Sequence, residues 1–326
     1  MVRLLNKPFV PALLCFLSGS LCALAMAPYN IWAVFLIGFG VLYWAIDHAS
    51  CKRVSFAYGW VWAFGYFVFS LYWIGNALLV EGNPYKWAWP LAVCGLPALL
   101  AFFNGIACLI VKWVCDLKRW HGYVGFAAIL SLFEYARGHV FTGFPWNLYG
   151  YSWIDLAQIS QIASLESVYF LTFLTLLWLS VGGFILIAQS KVQKLSLSTG
   201  LVILFVASLL YGESLIPETV EFRDDVTVKV VQPNTDQAEK WQRDKMEGHF
   251  FNALELSEAR SQDDDSNTLI LWPETVLSPA FLNDSYYREQ IGRMLQRYQG
   301  EAILMTGALR RDGEDYYNSL LILKFS

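Results

Sequence analysis

Cysteine is absent from residues 116–326 of this 326-residue chain, and the six cysteines that it has all fall between positions 15 and 115. Their spacing matches no zinc or redox motif, and cysteines in apolar helices usually act as small hydrophobic side chains. The second part of the chain therefore holds no thiol nucleophile of its own.

Charged residues are also scarce. They make up 15% of the chain, against 56% hydrophobic and 17% aromatic residues, which is typical of an integral membrane protein and too apolar for an average soluble enzyme. The sequence has no basic patch, no glycine-rich phosphate loop and no cluster among its four histidines. We therefore expect no metal or other cofactor and no nucleic-acid partner.

The charges that are present divide the chain in two. Residues 1–217 carry 18 of the 50 charged side chains and sum to +4, whereas residues 218–326 carry 32 and sum to −8. We predict a transmembrane domain over 1–217 and a smaller, acidic, water-facing domain over 218–326.

Seven apolar runs in the first part are long enough to cross a bilayer, which takes roughly 17–25 residues. The first run follows Arg3 and Lys7 and ends in "ALAMA", as a signal peptide would, but a second run starts directly after "APYN", which favours a retained helix. The predicted spans are about 9–27, 30–46, 54–80, 88–113, 121–138, 166–190 and 195–214.

Loop lysines and arginines predict the orientation, because they stay on the cytoplasmic side. If the N-terminus is cytoplasmic, only Lys86 and Arg137 fall on the outer side. Seven spans then put the acidic domain on the outer, periplasmic side of a bacterial cytoplasmic (inner) membrane. The nine cations on the cytoplasmic side are Arg3, Lys7, Lys52, Arg53, Lys112, Lys118, Arg119, Lys191 and Lys194.

The segment "FEYARGHVFTGFPWNLYGYSW" follows the fifth predicted span. Glu134 and Arg137 are three residues apart near a helix end, where they can neutralise each other. Gly143 and Pro145 then break the helix, and aromatic residues including Phe144 and Trp146 follow. They form either an aromatic belt at headgroup depth or a lipid-facing vestibule, and the sequence leaves both interpretations open.

The acidic domain has the pattern β-α-β-α-β-β, with strands predicted at 226–232, 268–272, 302–307 and 316–325. In "TLILWPETVLSP" we expect Pro273 to end the second strand, so that Glu274 follows at its tip. This glutamate is either a solvated loop residue or a general base at the carboxyl end of a strand, where α/β folds build their sites.

The chain resembles the apolipoprotein N-acyltransferases, membrane members of the nitrilase superfamily, over essentially its whole length. The matching stretches are "APYNIW", "GWVWAFGYFVFSLYW", Glu134 with Arg137, Gly138, Thr142 and "GFPW", then "VVQ" with Gln237, Lys240 and Trp241, "LWPET", and "TGALRR" with "YYNSLL". The implied fold is a multi-span α-helical membrane domain of about seven helices, followed by an incomplete nitrilase-like αββα sandwich.

The resemblance implies transfer of a fatty acyl group from a phospholipid to the α-amino group of the N-terminal diacylglyceryl-cysteine of lipoproteins. A thioester acyl-enzyme is the intermediate. The family's catalytic residues are Glu, Lys and Cys, and the matching general base is Glu274. Trp241, Trp146 and Phe144 are candidate substrate contacts, with ordinary packing as the alternative for each.

The family's catalytic Lys and Cys have no match here, and Lys324 lies within a predicted strand rather than in the later lysine motif. We therefore expect a C-terminally truncated chain that is inactive alone. The alternative is a non-catalytic or split-protein membrane subunit that binds lipoproteins or a partner carrying the missing half. An unrelated transporter is disfavoured, because most predicted spans lack polar mid-span residues.

Overall fold

The computed structural model describes residues 9–236, 239, 242–258, 267–277, 281 and 284–324. The chain divides into two compact units, Met1–Glu218 and Thr219–Ser326. The described elements of the first unit are helical. They are α1 (Phe9–Cys22), α2 (Val34–His48), α3 (Lys52–Leu71), α4 (Trp89–Val114), α5 (Trp120–His139), α6 (Ala157–Ser160), α7 (Val168–Leu179), α8 (Val181–Ile187) and α9 (Lys191–Leu215), with short 3₁₀ turns between several of them.

Four of the described helical segments are long and apolar enough to cross a membrane, judged by length and composition. Helix α1 with its following turn, and helix α2, are apolar but shorter. The structure thus supports the prediction that the first part of the chain is a helical membrane region. The four candidate spans are Lys52–Leu78, Lys86–Val114, Val168–Ile187 and Lys191–Leu215.

Close backbone contact through glycine joins α1 to α3. A β-carbon on Gly19 would lie 2.0 Å from the carbonyl oxygen of Trp62, and one on Gly65 would lie 2.6 Å from the carbonyl oxygen of Phe16. Small residues at such crossings let membrane helices approach closely enough for dense packing. Larger side chains at either position would push α1 and α3 apart.

The second unit is a four-stranded sheet of order β1-β2-β3-β4, formed by β1 (Val226–Val230), β2 (Asn267–Leu277), β3 (Ala302–Asp312) and β4 (Asp315–Lys324). The first three strands are parallel and β4 is antiparallel to β3. Helices α10 (Arg243–Leu256) and α11 (Ser285–Leu295) lie between the parallel strands in the chain, as parallel pairing requires. The described elements follow the predicted order.

One face of this sheet packs against the two helices. Ile270 and Leu304 of the sheet are fully buried, together with Phe250 of α10 and the almost fully buried Ile291 of α11. The helical stripes predicted from sequence supply these contacts, because Phe250 and Leu254, and likewise Ile291 and Met294, recur at helical spacing. This layer is the hydrophobic core of the second unit.

The opposite face of the sheet is apolar and is covered by none of the described residues. Val228 is 54% exposed, Val230 73%, Leu320 67% and Ile322 60%. The strand register aligns Val228, Val230 and Ile322 in rows with half-buried neighbours, whereas Leu320 lies opposite Gly307. One row is Val228, Leu269 and Ile303, and the next is Val230, Leu271, Met305 and Ile322.

Candidate functional site

The carboxyl end of β2 is irregular next to Glu274. Trp272 pairs with Thr306 of β3 and Leu277 pairs with Ala308, so four residues of β2 lie opposite Gly307 alone. The prediction that Pro273 ends the strand is therefore wrong: β2 bulges there and pairing resumes at Leu277. Such bulges redirect side chains and are common beside active sites. Here the bulge directs Glu274 out of the regular ladder.

Trp272 anchors the strand immediately before the bulge. Its indole N–H donates to the Ser257 hydroxyl over 2.7 Å, and that hydroxyl donates to the carbonyl of Ala253 over 2.6 Å. The Trp272 ring also meets the ring of Phe250 edge-on, with centroids 6.2 Å apart. A buried side chain held by both packing and a hydrogen bond fixes the backbone from which the glutamate projects.

Glu274 is exposed to solvent and is held by an amide from the edge strand. The Nδ2 of Asn318 in β4 donates to Oε1 of Glu274 over 2.7 Å. A neutral donor orients a carboxylate while leaving it able to accept a proton, as a general base requires. The sequence alone does not indicate this contact, because 44 residues separate Asn318 from Glu274 and no local motif links them.

The other sequence-predicted residues of this unit are not brought to Glu274 by any described contact. Lys324, at the end of β4, pairs with Glu301 over 2.7 Å and is about half exposed. Trp241 lies outside the described residues, as do Gln237 and Lys240, so the substrate-binding role of Trp241 stays a prediction.

The first unit contains a buried ion pair on α5. Arg137 Nη2 lies 2.6 Å from Glu134 Oε2, with both side chains 1% exposed or less, and Arg137 Nε donates to Glu134 Oε1 over 3.2 Å. The predicted mutual neutralisation is confirmed. Counting Arg137 as an outer loop cation was wrong, because its guanidinium is sealed inside the helical unit.

Further hydrogen bonds extend from this ion pair to α4 and Tyr149, and a separate bond joins α3 to the segment after α5. Asn104 of α4 donates to Glu134 Oε1 over 3.5 Å and accepts a bond from the Tyr149 hydroxyl over 3.1 Å. The Tyr66 hydroxyl of α3 donates to the carbonyl of Asn147 over 2.9 Å. Buried polar groups of this kind need complete hydrogen bonding, and the network ties α3, α4 and α5 to the segment that follows α5.

Residues 141–143 of that segment have a strained backbone. Phe141 has φ of 55°, Thr142 of 76° and Gly143 of 82°, which is costly for the phenylalanine and most of all for the β-branched threonine. Each such non-glycine residue costs about 1–3 kcal/mol, so the surrounding bonds must hold the segment in place. Arg137 supplies them: its Nη1 donates to the carbonyls of Phe144 over 2.6 Å and Trp146 over 2.9 Å.

Phe144 and Trp146, both candidate substrate contacts, are brought together by this arrangement. Their ring centroids lie 5.4 Å apart, and the half-exposed Trp146 stacks on Trp73 at 5.2 Å. Their contacts fit either a belt at headgroup depth or the wall of a lipid-facing vestibule. A substrate role for either residue remains a prediction.

The fold and these two sites define a class: a helical membrane protein that carries a small α/β unit with a carboxylate at a strand bulge. Residues 18–182, half of the chain, match the family model of the apolipoprotein N-acyltransferase N-terminal domain. The chain belongs to the apolipoprotein N-acyltransferase family, whose members are acyltransferase enzymes.

Similar proteins from three bacteria carry the name apolipoprotein N-acyltransferase. The one from Allorhizobium ampelinum is 34% identical over 327 residues, covering 95% of this chain and 60% of the relative. Those from Rhizobium meliloti and Brucella melitensis are 32% identical over 94% and 95% of this chain. The chain spans about 60% of the length of these relatives.

Proposed function

We propose that the chain takes part in N-acylation of lipoproteins. A cysteine thiol attacks the acyl ester of a phospholipid, which releases lysophospholipid and leaves a thioester. The α-amino group of an N-terminal diacylglyceryl-cysteine then attacks the thioester, which forms an amide and frees the thiol. The observation that carries the proposal is Glu274 at the β2 bulge, oriented by Asn318 at 2.7 Å, in a chain of the apolipoprotein N-acyltransferase family. The reaction needs no cofactor; its donor is a phospholipid, and its acceptor is a lipoprotein held in the membrane by its diacylglyceryl group.

In this proposal Glu274 is the general base that takes the proton of a cysteine thiol, because the thiolate is the competent nucleophile. Residues 116–326 contain no cysteine. The thiol and the oxyanion-stabilising lysine therefore come from polypeptide outside these 326 residues, and the 326 residues by themselves complete no acyl transfer.

The uncovered apolar face of the sheet supports a two-sheet sandwich of the nitrilase type. Val228, Val230 and Ile322 lie in aligned rows, Leu320 is exposed on the same face, and no described helix covers them. Two sheets pack face to face at about 10 Å by interdigitating such side chains. We propose that a second sheet, on the polypeptide that supplies the thiol, covers this face and brings the thiol towards Glu274.

We further propose seven membrane spans, with residues 218–326 on the periplasmic side of the inner membrane. The shorter apolar helices α1 and α2, together with the 20-residue helix α5, join the four candidate spans to make seven. Burial of Arg137 removes one of the two cations counted outside, so nine cytoplasmic cations face only Lys86. The positive-inside bias supports this orientation.

The proposal is tested by adding the missing polypeptide. The 326-residue chain is combined in lipid vesicles with the segment of the Allorhizobium relative that follows the matched region, and N-acylation of a diacylated lipopeptide is followed by mass spectrometry. We expect activity from the mixture, and a loss of about 10²–10⁴-fold with Glu274→Gln, the usual contribution of a general base.

Glu301→Gln is the matched control, because Glu301 is another exposed carboxylate of the same unit and pairs with Lys324 away from the bulge. It should leave the rate unchanged. Equal rates for Glu274→Gln and the unaltered mixture would remove Glu274 from the mechanism. Stable binding of the two polypeptides without turnover would favour the non-catalytic subunit instead.

A further inference from the structure

A groove of about 640 Å³ runs along the first unit between α4 and the end of α5. One wall consists of α4 side chains and the other of the strained segment after α5. The lining residues on which the argument depends are Leu99, Leu100, Phe102, Ile106, Arg137 and Phe141.

The α4 wall is an apolar stripe that points away from the protein. Leu99 is 66% exposed, Phe102 48% and Ile106 41%, and their spacing of three and four residues puts them on one helical face. Leu100, 5% exposed, closes the floor. Because α4 belongs to a candidate membrane span, this face meets hydrocarbon chains rather than water.

The one charged lining residue, Arg137, is not available to a lipid headgroup. Its Nε and Nη2 donate to Glu134, and its Nη1 donates to the carbonyls of Phe144 and Trp146. Four of the five N–H groups of a guanidinium are thus used. The groove presents hydrocarbon walls and no free cation among its lining residues, so its ligand is an acyl chain and not a phosphate.

The outer wall of the groove is built at an energetic cost. Phe141 and Thr142 both have positive φ, and the Phe141 side chain is 89% exposed at the rim. Backbone strain that persists is maintained by its surroundings and is concentrated at ligand clamps and active sites. Here the surroundings are the Arg137 bonds and the bond from the Phe144 N–H to the Arg137 carbonyl, 2.8 Å long.

We propose that this groove binds one acyl chain of a bilayer lipid, with Leu100 beneath the chain and the Phe141 ring against its side. A chain in the groove is contacted from three sides, whereas a chain against a plain helix is contacted from one. The additional dispersion contacts favour the groove over bulk lipid. This assignment rests on the proposed function for its substrate class. It adds the place where one acyl chain of the phospholipid donor binds.

The test is photo-crosslinking of the detergent-purified 326-residue chain in nanodiscs made of phosphatidylethanolamine with a diazirine in one acyl chain. Adducts are located by peptide mass spectrometry. We expect them to concentrate on residues 99–106 and 140–144. Ile106→Trp and Leu99→Trp each fill the groove and should reduce those adducts severalfold, to the density found on α9.

Ile203→Trp is the control, because Ile203 is 63% exposed on α9 and does not line the groove. It should leave the adducts on residues 99–106 unchanged. Adducts spread evenly over α4 and α9, or adducts on 99–106 that persist in both filled variants, would overturn the assignment.

This readout needs no acyl transfer, so the two proposals can fail separately. Groove labelling without N-acylation in the two-polypeptide mixture would leave the groove assignment standing and remove the proposed function. N-acylation with an unchanged KM for phospholipid in both filled variants would remove the groove assignment alone.

Discussion

At the scale of single residues, the ion pair of Glu134 and Arg137 is the most constrained feature of the first unit. Both side chains are buried, and the arginine also holds two backbone carbonyls of the strained segment. Removing one partner of a buried ion pair leaves an uncompensated charge, which costs far more than losing an exposed pair. The pair therefore matters for stability because neither member can be lost alone.

We expect Glu134→Gln to lower the free energy of unfolding by about 3–5 kcal/mol, because Arg137 is left buried without a counter-charge. The matched control is Asp116→Asn, which removes an i,i+3 pair with Arg119 that is more than half exposed on both sides. That change should cost less than about 1 kcal/mol. Unfolding in mixed detergent micelles, followed by circular dichroism, gives both values, and equal losses would contradict the structure.

At the scale of elements, the segment after α5 combines strain with tight anchoring. Glycine at position 142 would adopt its positive φ without steric conflict. We therefore expect Thr142→Gly to raise the free energy of unfolding by about 1 kcal/mol, even though glycine makes the unfolded chain more flexible.

The control for this prediction is Thr199→Gly in α9, where the threonine is exposed and helical. There the same chemical change should lower stability by a few tenths of a kcal/mol, since glycine is a poorer helix former than threonine. The same unfolding measurement applies. Two changes of the same sign would show that residue 142 is not strained.

The helices and strands could be predicted from the periodicity of apolar residues, whereas the bulge in β2 and the contacts between distant segments could not. Apolar runs predict the helices of the first unit, and Phe250 and Leu254 at helical spacing predict α10. Nothing local predicts that β2 continues past Pro273 as a bulge, or that Asn318 reaches Glu274, because both depend on the register between distant strands. Likewise, the burial of Arg137 depends on helices that the sequence does not place.

At the scale of the whole molecule, the proposed membrane topology can be tested by chemical labelling of the native cysteine Cys51. Cys51 precedes α3 and is exposed, and the backbone N–H of Val54 in the first turn of α3 lowers the pKa of its thiol. A lower pKa increases the thiolate fraction near neutral pH, so Cys51 should react with maleimide faster, and at lower pH, than an ordinary exposed thiol.

Seven spans with the N-terminus inside put Cys51 on the cytoplasmic side. A membrane-impermeant maleimide should therefore label it in inverted membrane vesicles and leave it unlabelled in intact spheroplasts. A Cys51→Ser chain serves as the control for labelling elsewhere. Labelling of Cys51 in spheroplasts would reverse the orientation and place residues 218–326 in the cytoplasm.

We propose above all that Glu274 activates a cysteine thiol of another stretch of polypeptide, since residues 116–326 contain no cysteine. The most direct measurement is single-turnover formation of an acyl thioester from phospholipid, with the site of acylation identified by mass spectrometry. We expect no thioester on the 326-residue chain alone, a thioester on the cysteine of the added polypeptide, and almost none when that mixture carries Glu274→Gln. Acylation of one of the six cysteines of this chain, or undiminished acylation with Glu274→Gln, would contradict it.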